Sequence, residues 1–345
     1  MTTEAEAPAF IKTFPCVSCG AKLSFAPGTT DLRCEFCGAG NTIQEGDGKV
    51  EELDLATWLK TIEGRHEAGE LQLVKCDKCG AEQRLEGALF ASKCGFCGAG
   101  IVSRSYAGRL VKPRSIIPFQ LDRRGAQDSF RRWLRWRWLA PNDLKRYAQS
   151  DAALMGVYLP FWTYDCQTST DYTGAKGVKR DKSTSWTAAS GRVDHFFDDV
   201  IVLASKTLPP GLQDAITTWD TKALVPYQPE FIGGFQAEAY QVGLAEAYPI
   251  ARGKIDETIR RLIRRDIGGD DQRIDTVNTR YGEFSFKHVL MPAWVSAYRY
   301  RDKVYRFVVN AQTGETSGES PLSWWKVALL VIVGLVFFYL WVISQ

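Results

Sequence analysis

The sequence lacks the short motifs that carry the commonest enzymatic chemistries. It has no GxxxxGK(S/T) phosphate loop, because its Gly-Lys pairs at 48–49 and 253–254 have neither the upstream Gly nor the following Ser or Thr. It also has no GxSxG nucleophile elbow and no HExxH zinc-protease motif. These absences exclude the common forms of ATP-driven motor, serine hydrolase and zinc protease. We therefore expect a protein without enzymatic activity.

Histidine is scarce, and the few histidines are isolated in the sequence. There are three, namely His66, His195 and His288. His195 has acidic neighbours at Asp194, Asp198 and Asp199. This group is interpreted as a strand-edge charge cluster, with a metal or acid–base cluster as the alternative. Cys166, the one cysteine outside a pair, is interpreted as a buried thiol rather than a nucleophile.

A secretory signal is also lacking, because residues 1–15 begin acidic and contain no apolar core. We expect residues 1–13 to be disordered. The long apolar run lies at the other end: Val327 to Ile343 is seventeen residues without a charge, thirteen of them Val, Leu, Ile or Phe. At about 1.5 Å per residue it covers roughly 25 Å, close to a bilayer's hydrocarbon core.

Aromatic residues flank the apolar run, where amphipathic rings suit the headgroup level. They are Trp324, Trp325, Tyr339 and Trp341. The sequence predicts a transmembrane helix over 324–343, with a buried core helix as the alternative. Since only Ser344 and Gln345 follow, we expect a tail-anchored protein.

Cysteine is abundant and strictly spaced. Eight of the nine cysteines form four CxxC pairs, Cys16 and Cys19, Cys34 and Cys37, Cys76 and Cys79, and Cys94 and Cys97. The second four repeat the first at a displacement of sixty residues, and Phe-Cys-Gly-Ala-Gly occurs at both 36–40 and 96–100. This self-similarity indicates an internal duplication.

The CxxC spacing suits a tetrahedral four-thiolate metal site. Two residues between thiolates let one tight turn aim both sulfurs at one ion, and the following Gly closes that turn. We predict two zinc ribbons, at 14–45 and 73–104, each holding one structural Zn²⁺, so two per chain. Disulfides and a rubredoxin-like iron site are the alternatives. Such sites have no open position, so zinc catalysis is not expected.

The rest of the chain is typical of a mixed α+β domain over 105–320. A helical linker is expected over 46–72, with an amphipathic helix at 51–63 packing against a ribbon. Leu159 to Tyr172 is strand-like and predicted to turn at Gly174–Gly177, and the later part of Leu244–Ile267 is predicted to be helical. Glu283–Glu319 is predicted as strands, with a hairpin turn supplied by Asn310 and Gly314. The phrase Leu159-Pro-Phe-Trp162 recurs as Met291-Pro-Ala-Trp294, which indicates a second repeat.

Basic charge is concentrated in residues 104–149, which hold twelve Lys or Arg against three Asp. Within it, 126–139 is predicted to be a Trp-rich basic helix, with Phe130, Trp133, Leu134 and Trp138 on one arc and Arg131, Arg132 and Arg135 on the adjoining one. Three interpretations are open. The helix packs on the core with a solvated basic face, lies on anionic lipid, or contacts nucleic acid.

Several phrases carry a family resemblance, namely the tandem four-cysteine sets together with 156–165 (GVYLPFWTYD), 189–200 (ASGRVDHFFDDV) and 305–310 (YRFVVN). Together they resemble a bacterial family of membrane-anchored zinc-ribbon proteins of the transcription factor IIB finger type, over nearly the whole chain. That family is often labelled primosomal protein N′ (replication factor Y), superfamily II helicase. A helicase needs a phosphate loop and paired motor cores, and this chain has neither. The layout is similar, more loosely, to envelope-stress proteins with ribbons and a C-terminal anchor that recruit band-7 or phage-shock partners.

These observations predict a tail-anchored adaptor that binds a protein partner at a bacterial inner membrane. Free thiols need a reducing compartment, so the bulk of the chain is expected in the cytosol. The ribbon tips are expected to be exposed and of mixed character, at Val17, Ser18, Glu35, Phe36, Asp77, Lys78 and Phe96. The alternative is a membrane-tethered nucleic-acid binder linked to replication or transcription. Basic and acidic residues offset one another on the ribbons, which favours the protein partner.

Overall fold

The computed structural model describes residues 14–44, 50–64, 68–77, 80–84, 91–94, 96, 100–102, 105–142, 154–181, 183–213, 216, 218–300 and 303–344. These ranges do not include residues 1–13, which were predicted to be disordered. They also do not include Lys78, Cys79 or Cys97. The described chain is mixed α+β, as predicted.

The helices are α1 (Leu55–Gly64), α2 (Arg123–Arg135), α3 (Pro210–Gln213), α4 (Leu244–Ile267) and α5 (Trp324–Ile343), with short 3-10 helices at Thr221–Ala223 and Pro229–Ile232. The first nine strands are β1 (Leu23–Phe25), β2 (Asp31–Cys34), β3 (Gly40–Thr42), β4 (Leu53–Asp54), β5 (Ala68–Lys75), β6 (Glu82–Arg84), β7 (Ala91–Lys93), β8 (Gly100–Val102) and β9 (Ser105–Val111). The others are β10 (Ser115–Ile116), β11 (Met155–Arg180), β12 (Ser183–Leu203), β13 (Val225–Pro226), β14 (Gln236–Ala237), β15 (Asp271–Tyr300), β16 (Lys303–Asn310) and β17 (Thr316–Gly318).

Three long antiparallel strands form the centre of the fold, in the order β12–β11–β15, with 21, 26 and 30 residues. Strand β16 continues the sheet beside β15, and β17 pairs with β16. Short segments complete it: β10 runs parallel to β15, β14 parallel to β11, and β4 antiparallel to β15. The two recurring proline phrases lie side by side, because Leu159 pairs with Met291.

The predicted turn at Gly174–Gly177 is wrong, because β11 runs through it to Arg180 and turns at Asp181. The glycines serve close packing instead. A Cβ at Gly174 would overlap the carbonyl oxygen of Arg273 on β15. The hairpin turn at Asn310 is confirmed: the Gly314 N–H donates to the Asn310 carbonyl at 2.9 Å, and Gly314 has a φ of +79°.

Large aromatic side chains of β11 hold the sheet to the segment that precedes α4. Tyr158, Trp162 and Tyr164 are fully buried. Their polar atoms donate to the carbonyls of Phe231 at 3.1 Å, Val242 at 2.9 Å and Leu244 at 3.1 Å, respectively. Burying these rings supplies much apolar area, and each hydrogen bond removes the penalty of an unpaired buried polar group.

Helix α4 covers the far half of the sheet. The four-residue spacing of Ile255, Ile259 and Ile263 places them on one face, and all three are buried. They pack with Tyr172 and Phe197 of the sheet. The predicted helix is confirmed here, and it is helical from Leu244 onward rather than only in its later part.

Helix α1 packs on the central sheet, where the sequence predicted contact with a ribbon. The Trp58 ring lies edge-on to Phe286 of β15 at 6.0 Å, and Leu55 is buried in the same cluster. The short strand β4 explains the difference. By pairing Leu53 with Phe286, it fixes the start of α1 against β15.

Helix α2 spans Arg123–Arg135 instead of the predicted 126–139. It begins earlier because the Asp122 carboxylate accepts a hydrogen bond from the Gly125 N–H at 2.8 Å, as an N-cap. Phe130 stacks on Phe307 at 3.7 Å, so the apolar face is packed on the sheet. Trp138 was predicted on that face, but it lies in the loop after the helix and is 55% exposed.

Both cysteine-rich stretches are fastened to the sheet domain by backbone hydrogen bonds. In the first, the Phe25 N–H donates to the Gly233 carbonyl at 2.8 Å. In the second, the Glu82 carbonyl accepts from the Ala239 N–H at 3.1 Å. Within the described residues, both stretches therefore pack on the sheet domain.

A buried carboxyl group lies beside the second stretch. Glu238 is fully buried, and its Oε1 accepts hydrogen bonds from the hydroxyls of Ser205 at 3.0 Å and Thr207. Its Oε2 has no partner within the described part of the chain. Burial raises the pKa of Glu238 to about 8, so the group is mostly protonated at neutral pH.

The raised pKa predicts how stability depends on pH. The contribution of Glu238 is full below the ordinary carboxyl pKa and is lost as pH rises through about 8. Glu238→Gln, which resembles the protonated side chain, should therefore gain stability relative to wild type by up to about 1.4 kcal/mol per pH unit over that interval. Urea unfolding of the purified chain in detergent measures this. The exposed control Glu257→Gln should follow wild type, and a Glu238→Gln curve parallel to wild type would contradict the assignment.

Candidate metal centre

The first cysteine-rich stretch is a three-stranded antiparallel sheet, β1–β2–β3, carrying two tight turns. In the first turn the Gly20 N–H donates to the Cys16 carbonyl at 2.8 Å, and in the second the Gly38 N–H donates to the Cys34 carbonyl at 2.9 Å. Gly20 and Gly38 have φ values of +74° and +76°, where a side chain would be strained. The glycine after each CxxC therefore closes its turn, as predicted.

The two turns bring four sulfurs together, those of Cys16, Cys19, Cys34 and Cys37. All four Sγ atoms lie within 4.8 Å of one another, and those of the pairs Cys16–Cys37 and Cys19–Cys34 are 3.5 Å apart. All four are free thiols. Tetrahedral Zn–S bonds of about 2.3 Å place sulfurs roughly 3.8 Å apart, so the group fits a structural metal ion.

The electrostatics of the four sulfurs also favour a cation. A hydrogen bond from the Ser18 N–H is the largest of the effects that lower the pKa of Cys16 to about 6. The Ala39 N–H acts in the same direction on Cys37, but the sulfurs of Cys19, Cys16 and Cys34 together raise its pKa to about 12. Neighbouring thiolates repel one another, so all four ionise together only around a positive ion.

The second cysteine-rich stretch repeats this backbone geometry where it is described. The Gly80 N–H donates to the Cys76 carbonyl at 2.8 Å, and Gly80 has a φ of +76°. Strands β7 and β8 pair Lys93 with Gly100, while β2 and β3 pair Arg33 with Gly40, so the register is preserved at a displacement of sixty residues. Cys76 and Cys94 are buried like Cys16 and Cys34. Because Cys79 and Cys97 lie outside the described residues, the second metal site stays a prediction.

The exposed tips differ between the two stretches. Val17 and Phe36 are 87% and 86% exposed. Phe96, the counterpart of Phe36, was also predicted to be exposed, but it is fully buried. It belongs to an apolar cluster with Leu208 and Ile216, so the sheet domain covers this tip of the second stretch.

A second charged cluster lies inside the sheet and is centred on Lys287. Its Nζ lies 2.8 Å from Asp199, 3.1 Å from Asp165 and 3.1 Å from Glu52. Asp165 and Asp199 meet at a register shift between β11 and β12, where Asp199 takes a φ of +53° and its N–H donates to Asp165 at 2.5 Å. Asp198 also brings a carboxylate oxygen within 4.8 Å of these two aspartates.

The cluster already contains its own cation. Burial alone would lower the pKa of Lys287, but hydrogen bonds and charge from Asp199 and Asp165 raise it above its ordinary value. The ammonium therefore stays charged and occupies the position that a metal ion would take between the carboxylates. The cluster is best described as an ion-pair network whose central pair, Lys287 and Asp165, is buried.

The sequence located only part of this network. It placed Asp198 and Asp199 in an acidic group with His195, but the His195 ring packs edge-on against Phe197 at 4.6 Å. Asp165 and Lys287 were missed because they come from other strands. The sequence feature that could have located them is a charged residue within an otherwise apolar strand. Cys166 is buried as predicted, and burial raises the pKa of its thiol.

Comparison with known proteins adds one relative. The chain is 28% identical over 333 residues to the uncharacterized protein YdjG of Bacillus subtilis (strain 168), and the match covers 92% of each chain. No protein-family model matches the chain, and no solved structure matches it.

Replacing Lys287, whose ammonium lies between the carboxylates, tests the ion-pair network. Lys287→Met should lower the free energy of unfolding by about 3–5 kcal/mol, because it leaves the buried Asp165 and the partly buried Asp199 without their cationic partner. Urea unfolding in detergent measures the loss. The exposed control Lys222→Met should change stability by no more than about 0.5 kcal/mol. Adding Asp165→Asn should recover part of the loss, since it removes one of the unpaired charges. A loss unaffected by that second change would indicate packing rather than charge.

Proposed function

We propose that this protein is a membrane-anchored, non-enzymatic adaptor whose first cysteine-rich stretch contacts a protein partner. The observation that carries this proposal is the exposure of Val17 and Phe36 at the two turn tips. Val17 follows Cys16 and Phe36 precedes Cys37, whose sulfurs are 3.5 Å apart. The two apolar side chains therefore flank one edge of the metal centre on a rigid support.

The duplication supports a partner role for this edge. In the second stretch the equivalent aromatic residue, Phe96, is covered by the sheet domain. In the first stretch, the Phe25 ring packs edge-on against Phe231, with the ring centroids 5.4 Å apart. Phe36 of the same stretch is exposed. Aromatic side chains on rigid supports are favoured anchors of protein interfaces.

The metal in this proposal is structural zinc, one ion for each cysteine-rich stretch. A closed set of four cysteines leaves no position for a reacting water, which agrees with the absence of enzymatic motifs. Modules this short hold little apolar core, so metal binding supplies much of their folding free energy. The repeated backbone geometry around Cys76 supports a second ion.

The proposed location is a bacterial inner membrane, with the bulk of the chain in the cytosol. Helix α5 is long and apolar enough to cross a membrane, and none of its residues is buried in the described structure. A reducing compartment keeps thiols available for metal. Confinement to the membrane raises the effective concentration of the open tip toward partners on the same surface.

Metal content tests the zinc assignment. The wild-type chain should hold about two zinc ions, and Cys34→Ser should hold about one, because each stretch supplies its own four ligands. Elemental analysis of the purified full chain measures this, with the non-ligand thiol variant Cys166→Ser expected to keep two. A single zinc in wild type, loss of both in Cys34→Ser, or iron in place of zinc would contradict the assignment.

Site-directed photocrosslinking tests the partner surface. A photoreactive phenylalanine analogue at position 36 should crosslink a discrete membrane-associated protein in native membranes. The same analogue at Phe196, an exposed aromatic residue of β12, is the matched control and should not. Val17→Ser should lower the position-36 yield severalfold without changing the zinc content. Equal labelling from both positions, or labelling of nucleic acid alone, would refute the proposed surface.

A further inference from the structure

The membrane helix is tied to the loop that follows α2. Lys326, in the first turn of α5, donates to three oxygens, namely the carbonyls of Trp138 and Ala140 at 3.0 and 2.7 Å and the Oδ1 of Asn142 at 3.0 Å. One residue before α5, the Ser323 N–H donates to the Leu139 carbonyl at 2.9 Å. These bonds hold the loop that follows α2 against the first turn of α5.

Four exposed tryptophans cluster at this junction. Trp136 and Trp138 of the loop are 86% and 55% exposed, and Trp324 and Trp325 of the anchor are 76% and 62% exposed. Indole rings are enriched at the headgroup level of membranes. Because the hydrogen bonds above hold the loop to the anchor, the loop lies at the membrane–water boundary when α5 spans the bilayer.

An arginine-lined groove of about 830 Å³ runs along α2 toward this junction. Its charged and polar walls are formed by Asp128, Ser129, Arg131, Arg132, Arg135 and Thr313. At about 1.5 Å per residue, the three arginines lie within roughly 6 Å along the helix axis.

The ion pair inside the groove does not neutralise all of its arginines. Asp128 pairs with Arg131 at 3.1 Å, and Arg132 donates to the Ser129 hydroxyl at 3.2 Å. Arg135, nearest the membrane junction, has no carboxylate partner among the described residues. Three guanidinium groups therefore face one carboxylate, and guanidinium groups bind phosphate oxygens through paired N–H donors.

We propose that this groove binds the phosphate of an anionic phospholipid in the leaflet next to the bulk of the chain. Charge complementarity and continuity with the anchor carry this inference, which does not depend on the proposed protein partner. Phe130 is buried against Phe307 of the sheet, so α2 packs on the domain core with one face and presents its arginines on another.

Native mass spectrometry of the purified full chain in detergent tests the site. Phosphatidylglycerol and phosphatidylcholine with the same acyl chains are the probes. Wild type should retain phosphatidylglycerol preferentially. The triple variant Arg131→Gln/Arg132→Gln/Arg135→Gln should bind it about 100-fold more weakly, from roughly a fivefold contribution per arginine near an anionic surface.

A matched variant on α4 controls for total charge. Arg260→Gln/Arg264→Gln/Arg265→Gln removes three exposed arginines from another helix and should retain phosphatidylglycerol like wild type. Both variants should unfold at the wild-type temperature. If the α2 variant unfolds earlier, Arg135→Gln alone is used, for which a fivefold loss is expected. Undiminished binding by the folded α2 variant, or equal loss in the control, would overturn the proposal.

Competitors distinguish the source of the phosphate. Millimolar inorganic phosphate should leave bound phosphatidylglycerol in place, because it lacks the acyl chains held beside the anchor. Displacement by inorganic phosphate would indicate a site for free phosphate and would overturn the lipid assignment. Displacement by short single-stranded DNA, with the steep salt dependence of phosphate contacts, would overturn it in favour of nucleic acid.

Discussion

The antiparallel pairing of β11 with β15 is the interaction on which the remaining structure depends. It joins residues 155–177 to 271–295 and places the two proline phrases at Leu159 and Met291 opposite one another. Side chains along these strands form the buried surfaces against which α1, α4 and both cysteine-rich stretches pack. The sheet is therefore both the core and the frame that orients every candidate functional element.

Packing on the sheet domain determines which surfaces of the cysteine-rich stretches are exposed. A short metal-held module on a flexible linker exposes all its surfaces, whereas these two are fastened to the sheet domain through Gly233 and Ala239. Domain packing therefore stabilises the same segments that carry the cysteines. Packing also leaves unequal surfaces, since Phe96 is buried and Phe36 is open. Among the described residues, the two duplicated stretches therefore have different surroundings.

Hydrogen bonds connect α5, the candidate membrane helix, to the basic segment. Lys326 and Ser323 hydrogen-bond to the loop after α2, so this loop is held against the start of α5, the candidate membrane anchor. The predicted Trp- and Arg-rich helix divides into two parts with different roles. Its apolar residues pack on the sheet, and the tryptophans beyond Arg135 lie exposed at the anchor. Core packing and lipid contact are therefore compatible interpretations of one segment.

The sequence by itself determined the features that depend on local spacing. These are the Cys16–Cys37 turns with their glycines, the apolar run of α5, the isoleucine stripe of α4 and the Asn310 hairpin, all set by neighbours a few residues apart. The sixty-residue duplication is likewise visible in the sequence, because the same cysteine spacing occurs twice. Only the tertiary structure decided that Gly174 lies inside a strand. A glycine is needed there because the backbone of Arg273 on β15 approaches too closely for a side chain. Likewise, Lys287 joins Asp165 and Asp199 only after three strands align. Contacts between distant strands leave no periodic trace in the sequence, and so the ion network and the burial of Phe96 followed from packing alone.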